Sequence, residues 1–268
     1  MKLLDLFSGI GGFSRAFKKV FSNGEIIGFS EIDKYAAQIY EKHFAGVKNY
    51  GDVSGIKTDE LPDFDCCTFG FPCQDLSNNG KRAGLNGKRS SLFYEAIRII
   101  NAKRPEYFIF ENVKGLFTSQ KGEDFYTVLQ SIADIGYDAV WSLVNTKWVL
   151  PQNRERVFLV GFLREKPAPQ IFPLKESNKE NNVLRGEAVN TITARYHAGQ
   201  ATGSYIVKCL QSESIRFLTP LELERLQGFL DNWTAGISDT QRYKCLGNAI
   251  TVNIAELIFK KLKESAGE

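Results

Sequence analysis

Residues 70–74 read Gly-Phe-Pro-Cys-Gln, which places a cysteine where a nucleophile would serve. Asp65-Cys66-Cys67-Thr68-Phe69-Gly70-Phe71 has the make-up of a short buried strand, and Pro72 stops it, so Cys73 opens a loop at the strand's carboxyl end. Ligands of open α/β sheets bind along that edge. A free cysteine is otherwise most often a small buried hydrophobe, so its reading depends on what accompanies it. Two further runs carry chemistry. In Phe108-Ile109-Phe110-Glu111-Asn112-Val113 a carboxylate interrupts an apolar strand end. Burial there would raise its pKa, keep it protonated near neutrality and let it donate to a ligand. In Pro151-Gln152-Asn153-Arg154-Glu155-Arg156 two arginines spaced by two point to one side of an extended chain, suited to a carbonyl oxygen or to phosphates. The plainer alternatives are a solvated strand-end glutamate and a surface arginine pair neutralised by Glu155.

A fourth run, Asp5-Leu6-Phe7-Ser8-Gly9-Ile10-Gly11-Gly12-Phe13, reads as a strand entering a glycine loop and then a helix. Backbone must approach a ligand closely there, or turn tightly. The spacing is neither the dinucleotide fingerprint nor a P-loop, so the ligand need not carry phosphates. Glu31 closes the second strand about 22 residues after Gly9, where nucleotide-binding units place the acid that takes ribose hydroxyls. Together the loop and the acid suggest an adenosine-bearing cofactor.

The chain that positions these residues has 268 amino acids, 43% hydrophobic and 24% charged, with no repeat and no low-complexity tract. That suits one large domain, or one with a small appendage, and a substantial core. Met1 to Phe7 is broken by Asp5 and reads as a strand rather than a signal peptide, and no apolar run is long enough to span a membrane. Five cysteines without paired Cys-x-x-Cys spacing, and only His43 and His197, argue against a disulfide framework, a metal site and a histidine triad. A reducing cytoplasm fits that usage. The net charge of +3 is small but unevenly spread: Lys81, Arg82, Lys88 and Arg89 follow Cys73 among Gly80, Gly84 and Gly87. This is the composition of a basic loop beside the cysteine, or of an ordinary solvated one.

Strand-like runs at 2–7, 25–32, 65–71, 106–113, 139–145 and 156–162 alternate with helical spacing at 13–21, 33–44, 91–103 and 123–135. The alternation predicts an α/β fold with a doubly wound sheet and crossover helices. After Leu163, prolines 167, 169 and 173 lead into a polar stretch that reads as the exit into a small irregular domain. Thr219-Pro220-Leu221-Glu222 opens a helix with a capping box, a last amphipathic helix spans 247–262, and residues beyond Lys263 are expected to fray.

The order of the motifs D-L-F-S-G-I-G-G-F, Glu31, Gly51-Asp52-Val53, G-F-P-C-Q, E-N-V, Q-N-R-E-R, the helix from Leu218 to Phe229 and Gly247-Asn248-Ala249-Ile250 resembles the DNA (cytosine-5)-methyltransferase family over nearly the whole chain. The resemblance implies a mixed doubly wound sheet of the S-adenosylmethionine-dependent methyltransferase fold, acting on double-stranded DNA; the sequence carries no oligomeric signal, so a monomer is the default. By similarity, Phe7, Gly9, Gly11 and Gly12 shape the S-adenosylmethionine pocket, Glu31 takes the ribose and Ile32 packs on adenine. Asp52 and Val53 contact the adenine edge, and Pro72, Leu92, Asn248 and Ala249 complete the pocket. Cys73, Glu111, Arg154 and Arg156 are the implied catalytic set. Implied DNA contacts are Gln74, Ser77, Lys81, Arg82, Lys88 and Arg89 in the loop after the cysteine. Thr191 and Ile192, matching a threonine-aliphatic pair beside the flipped base, and Arg195, Tyr196 and His197 extend that set.

Residues 1–163 with 243–268 would form the catalytic and cofactor-binding domain, and 164–242 the target-recognition domain, short enough to imply a small recognition site. A bacterial or phage setting, in the cytoplasm or nucleoid and with a companion restriction endonuclease acting separately, is compatible with this. Two other readings stay open: a tRNA cytosine-5 methyltransferase, and a catalytically silent DNA-binding module on the same scaffold. The first requires a threonine-based motif unlike anything in residues 175–216. The second has no reason to keep Cys73, Glu111, Arg154 and Arg156 together.

Overall fold

The computed structural model describes residues 1–71, 92–174, 189–194, 196 and 217–267. Its strands are β1 (Lys2–Leu6), β2 (Glu25–Ser30), β3 (Cys66–Phe69), β4 (Tyr107–Val113), β5 (Tyr137–Asn145), β6 (Gln152–Asn153), β7 (Glu155–Leu163) and β8 (Val189–Asn190). Six of them form one sheet in the order β2-β1-β3-β4-β7-β5, while β6 and β8 pair in parallel apart from it. The first four strands of that sheet are parallel; β7 is antiparallel to both β4 and β5. The sheet is therefore mixed. Each of the six strand-like runs is a strand, with no end moved by more than two residues.

Helices α1 (Gly12–Val20), α2 (Lys34–His43), α3 (Leu92–Lys103) and α4 (Glu123–Asp134) occupy the expected spans between strands. Strands buried on both faces explain why their sequences are nearly continuous in apolar residues. Leu3, Ile109 and Phe158 join the core under α1, α2 and the C-terminal helix, whereas Leu4, Leu6, Cys67, Phe108 and Phe110 join the one under α3 and α4. The parallel order reverses at β1 and β3, so the loops leaving those strands diverge and open a crevice at their carboxyl ends.

Beyond the sheet, α5 (Pro220–Leu226) starts with the expected capping box: the Thr219 side chain accepts from Glu222 N–H, and the Glu222 carboxylate accepts from Thr219 N–H. The single helix expected over 247–262 is instead two, α6 (Asp239–Asn248) and α7 (Val252–Ala266). The break lies at Ala249, in extended backbone with ψ 155°, where the chain turns back toward the sheet. Just before it, Gly247 lets the backbone of Thr193 and Ala194 approach α6 closely, since a Cβ there would lie 2.2 Å from the Thr193 carbonyl carbon. α7 does not fray after Lys263 but runs to Ala266 and closes on Gly267 at φ 74°. Phe259 accounts for its hold on the domain, packing edge-on against Phe17 of α1 and Phe21 just after it.

Candidate active site

At the carboxyl end of β1 the backbone enters the left-handed region at Phe7 (φ 52°), Gly9 (φ 55°) and Gly11 (φ 82°). The glycines have different reasons for being there. A Cβ on Gly9 would meet nothing within 4 Å, so Gly9 faces open space; one on Gly11 would lie 2.6 Å from the Phe44 ring, and one on Gly12 2.6 Å from Ile250 Cγ1. Gly9 borders the cavity, whereas Gly11 and Gly12, placed by resemblance in the cofactor pocket, do not line it and act through packing. Beneath the loop, buried Asp5 accepts from Ser14 Oγ (2.6 Å) and Thr68 Oγ1 (2.8 Å). Burial pushes the Asp5 carboxyl up to about 7 despite those bonds.

Glu31 follows the end of β2, where its carboxylate accepts three backbone N–H groups: Gly9 at 2.9 Å, Ile32 at 2.8 Å and Asp33 at 2.7 Å. Burial raises its pKa, and the three donors oppose that rise. The acid therefore stitches the glycine loop to the start of α2. Ile32 is 75% exposed although apolar, which leaves a flat apolar surface at the rim. Asp52 and Val53 line the same end, with the Asp52 carboxylate tied to Ser54 N–H at 2.9 Å.

The other end is built across β4 and β7. Glu111 stands opposite Phe158 and Val113 opposite Arg156, so Glu111 and Arg156 are diagonal neighbours on one face. Arg156 Nε lies 3.1 Å from Glu111 Oε1, and the side chains are 16% and 12% exposed. Burial raises the Glu111 pKa, and the Arg156 and Arg154 charges pull against it. Asn112, on the opposite face, donates to the Phe71 carbonyl at 3.3 Å. Phe71 also stacks on Phe110 with ring planes 8° apart. Thus the E-N-V run supplies an acid and a tether for the chain two residues before Cys73. Gly70 leaves room for this, since a Cβ would lie 3.2 Å from Glu111 Oε2.

The two arginines do not share one side of an extended chain. The backbone turns at β6, with Arg154 N–H donating to the Gln152 carbonyl, and Arg154 is buried. Its guanidinium donates to the carbonyls of Ile192 (3.1 Å), Gly247 (3.4 Å) and Ala249 (2.8 Å). Arg154 therefore holds the α6–α7 break and the 189–194 segment in place while reaching the cavity wall; Arg156 faces Glu111. Ala249 contributes its carbonyl to Arg154 and does not line the cavity, whereas its exposed neighbour Asn248 does.

A single cavity of about 340 Å³ joins both ends. Phe7, Gly9, Glu31, Ile32, Asp52 and Val53 border one end, Glu111 and Arg156 the other, and Gly70 and Phe71 the wall between. Leu92, at the start of α3, lines it too. Pro72, Cys73, Gln74, Ser77, Lys81, Arg82, Lys88, Arg89, Arg195 and His197 lie outside the described residues.

Of the expected base readers that are described, Ile192 and Tyr196 are 0% and 1% exposed. Both belong to the core, and the Tyr196 hydroxyl accepts from Leu218 N–H at 3.1 Å, so neither presents its side chain to DNA. Thr191 donates to the Asn153 carbonyl at 2.8 Å, which seats it beside the arginine run. His43 is a packing residue, its ring 3.5 Å from that of Trp233.

Sequence reasoning missed Asp33, Lys244 and Cys245 as cavity residues. Lys244 stands on α6 three residues before Gly247, about one helical turn away, a spacing that could have flagged it. Burial pushes the Cys245 thiol up to about 12 and also raises those of Cys66 and Cys67, which disfavours a thiolate at all three. Among the described residues no cluster of His, Cys, Asp and Glu could hold a metal, and no helix is long and apolar enough to cross a membrane.

The model of the C-5 cytosine-specific DNA methylase family matches residues 1–206 and 185–264. Type II methyltransferase M1.ScrFI of Lactococcus lactis subsp. cremoris is 34% identical over 98% of this chain and 78% of its own length. Type II methyltransferase M.NlaX of Neisseria lactamica is 32% identical over 98% of this chain and 96% of its own length. Among solved structures, the S. pombe Dnmt2 methyltransferase superposes with a TM-score of 0.77 over the full length of both chains at 19% identity, a likeness of fold. By sequence match and by architecture, the chain belongs to the C-5 cytosine-specific DNA methylase family.

Proposed function

We propose that this protein transfers a methyl group from S-adenosylmethionine to carbon 5 of a flipped-out cytosine in double-stranded DNA, with Cys73 as nucleophile. The observation that carries the reading is the single cavity whose opposite ends are a glycine loop with Glu31 and the Glu111–Arg156 pair. The residues suit the cofactor. Gly9 faces open space that a side chain would fill, Glu31 offers a fixed acceptor, and exposed Ile32 offers an apolar face. When bound, S-adenosylmethionine supplies the methyl group.

Cytosine carbon 5 is a poor nucleophile until electron density is added to the ring, and a thiolate adding at carbon 6 does this. Protonated Glu111 donates to ring nitrogen 3 as negative charge develops there, and Arg156 holds the ring carbonyl oxygen. Carbon 5 then takes the methyl group, leaving S-adenosylhomocysteine, and loses its proton to a base; expulsion of the Cys73 thiolate from carbon 6 and return of the nitrogen 3 proton to Glu111 release 5-methylcytosine. The ring cannot reach Glu111 while stacked in a duplex, so the base must leave the helix. Arg154 is a positioning residue in this scheme. The buried state of Cys66, Cys67 and Cys245 leaves Cys73 and Cys209, both outside the described residues, and of these two Cys73 stands in the Gly-Phe-Pro-Cys-Gln run.

The division into a body of residues 1–163 with 243–268 and a recognition part of 164–242 belongs to the same proposal. Trp233 would seat that part, its Nε1 donating to the Ile10 carbonyl at 2.9 Å. A short recognition part suits a site of few base pairs, with a monomer as the default state and the setting, solitary or paired with a companion endonuclease, left open by the sequence. Transfer of labelled methyl from S-adenosylmethionine to duplex DNA and, in parallel, to structured tRNA tests the reading. Labelled DNA is expected; labelled tRNA alone would transfer the assignment to the RNA-directed branch, and no transfer would leave a silent DNA-binding module.

A further inference from the structure

Helix α2 walls the cofactor end of the cavity, and a segment far along the chain grips both of its ends. At its C-terminus Lys42 Nζ donates to the Ala235 carbonyl at 2.8 Å, and His43 Nε2 lies 2.7 Å from the Trp233 carbonyl. At its N-terminus Lys244 Nζ, on α6, lies 2.6 Å from Asp33 Oδ2. The other oxygen of Asp33 caps α2 by accepting from Tyr35 and Ala36 N–H. The N–H groups of Ile32 and Asp33 both go to Glu31 Oε1. Lys244 is therefore two bonds removed from the carboxylate that the cofactor reading relies on. Both Lys244 and Asp33 line the cavity, and their side chains are 48% and 27% exposed. Such partly solvated pairs contribute little to folding, so the value of this one lies in where it is.

We propose that Lys244 is a positioning residue for cofactor binding: its ion pair with Asp33 holds α6 to the N-terminus of α2 and keeps the Glu31-Ile32-Asp33 turn in the form that receives the adenosine part. The pair takes no part in the chemistry at Glu111. This rests on reading the glycine-loop end as the S-adenosylmethionine site.

The test is calorimetric titration of S-adenosylmethionine into the full chain without DNA, beside methyl-transfer kinetics. Lys244→Met removes the charge and keeps the stem, Asp33→Asn removes the charge and keeps a good N-cap, and Lys244→Arg restores the charge. Each of the first two is expected to weaken binding about fivefold, the upper end for such a pair. The double variant should be no weaker than either, and Lys244→Arg should lie within about twofold of wild type. KM for the cofactor should rise by the same factor while kcat at saturation is unchanged. If Lys244→Met folds poorly, the wild type and Asp33→Asn still decide the matter. Added salt should speed cofactor dissociation more in the wild type, where it screens the pair. Unchanged binding in both single variants, additive losses in the double, equal salt responses, or a fall in kcat with binding intact would overturn the proposal. A wild type that binds no S-adenosylmethionine would instead overturn the reading of the cavity itself.

Discussion

Each end of the cavity holds a partly buried glutamate, and the two are held in different ways. Glu31 is fixed by three backbone N–H groups, which any neighbouring sequence could supply, and its geometry comes from the turn into α2. Glu111 is held by a side-chain cation across two antiparallel strands, and its geometry comes from register. Backbone donors hold the Glu31 carboxylate as an acceptor against the upward push of burial. Burial set against the two arginine charges leaves Glu111 able to carry a proton and give it up. The turn after β2 thus fixes one acid, and the antiparallel β4–β7 pairing sets the other against an arginine.

The contrast breaks most sharply if the proton on Glu111 is removed from play. Glu111→Gln should lower methyl transfer about 10²- to 10⁴-fold with cofactor affinity unchanged; a matching loss of affinity, read by calorimetry, would show that the ends are not separable. Arg156→Met should cost about 10²- to 10³-fold. It should also move the alkaline limb of the pH–rate profile upward, because Arg156 pulls the Glu111 pKa down and its loss lets burial raise it further. A downward shift would contradict the pairing.

Arg154→Met should act on folding first. Three buried carbonyls lose a charged donor, at a cost of about 3 kcal/mol, whereas Arg156→Met should change stability by under about 1 kcal/mol. Urea unfolding of both variants distinguishes them. A pH-dependent effect concerns Asp5, whose folded pKa of about 7 exceeds its usual value of 3.8. The folded state then binds the extra proton, so the stability from this group is complete below about pH 4 and is lost as pH rises toward 7, by at most about 1.4 kcal/mol per unit. Asp5→Asn cannot titrate, and its stability should fall less between pH 5 and pH 7 in urea unfolding.

How much of this could be read from the chain alone depends on the range of the interactions concerned. The alternation of strands and helices was legible because periodicity is local, and the capping box at Thr219 because its partner is three residues away. Cys73, Glu111 and the glycine loop stood out because each breaks a local pattern of apolar strand or helix. The separate roles of Arg154 and Arg156 were not legible. Spacing by two implies a shared side only while backbone stays extended, and the turn at β6 ends that condition. The buried positions of Ile192 and Tyr196 also depend on distant partners, Leu218 and Tyr243 among them, that no window around residue 192 contains. The α6–α7 break follows from a carbonyl taken by Arg154, 95 residues away. Asp33 and Lys244 were missed for the same reason, since their bond spans 211 residues.

The central claim is that the cofactor and the target base meet in one cavity at one time. A duplex with 5-fluorocytosine in place of the target base tests this, because the fluorine blocks release of the thiol only after a methyl group has been delivered to carbon 5. With S-adenosylmethionine present, the protein is expected to form a stable covalent complex that needs Cys73 and forms slowly in Glu111→Gln. A complex formed equally by Cys73→Ser, or methylation of ordinary duplex by a protein that never traps, would contradict the account.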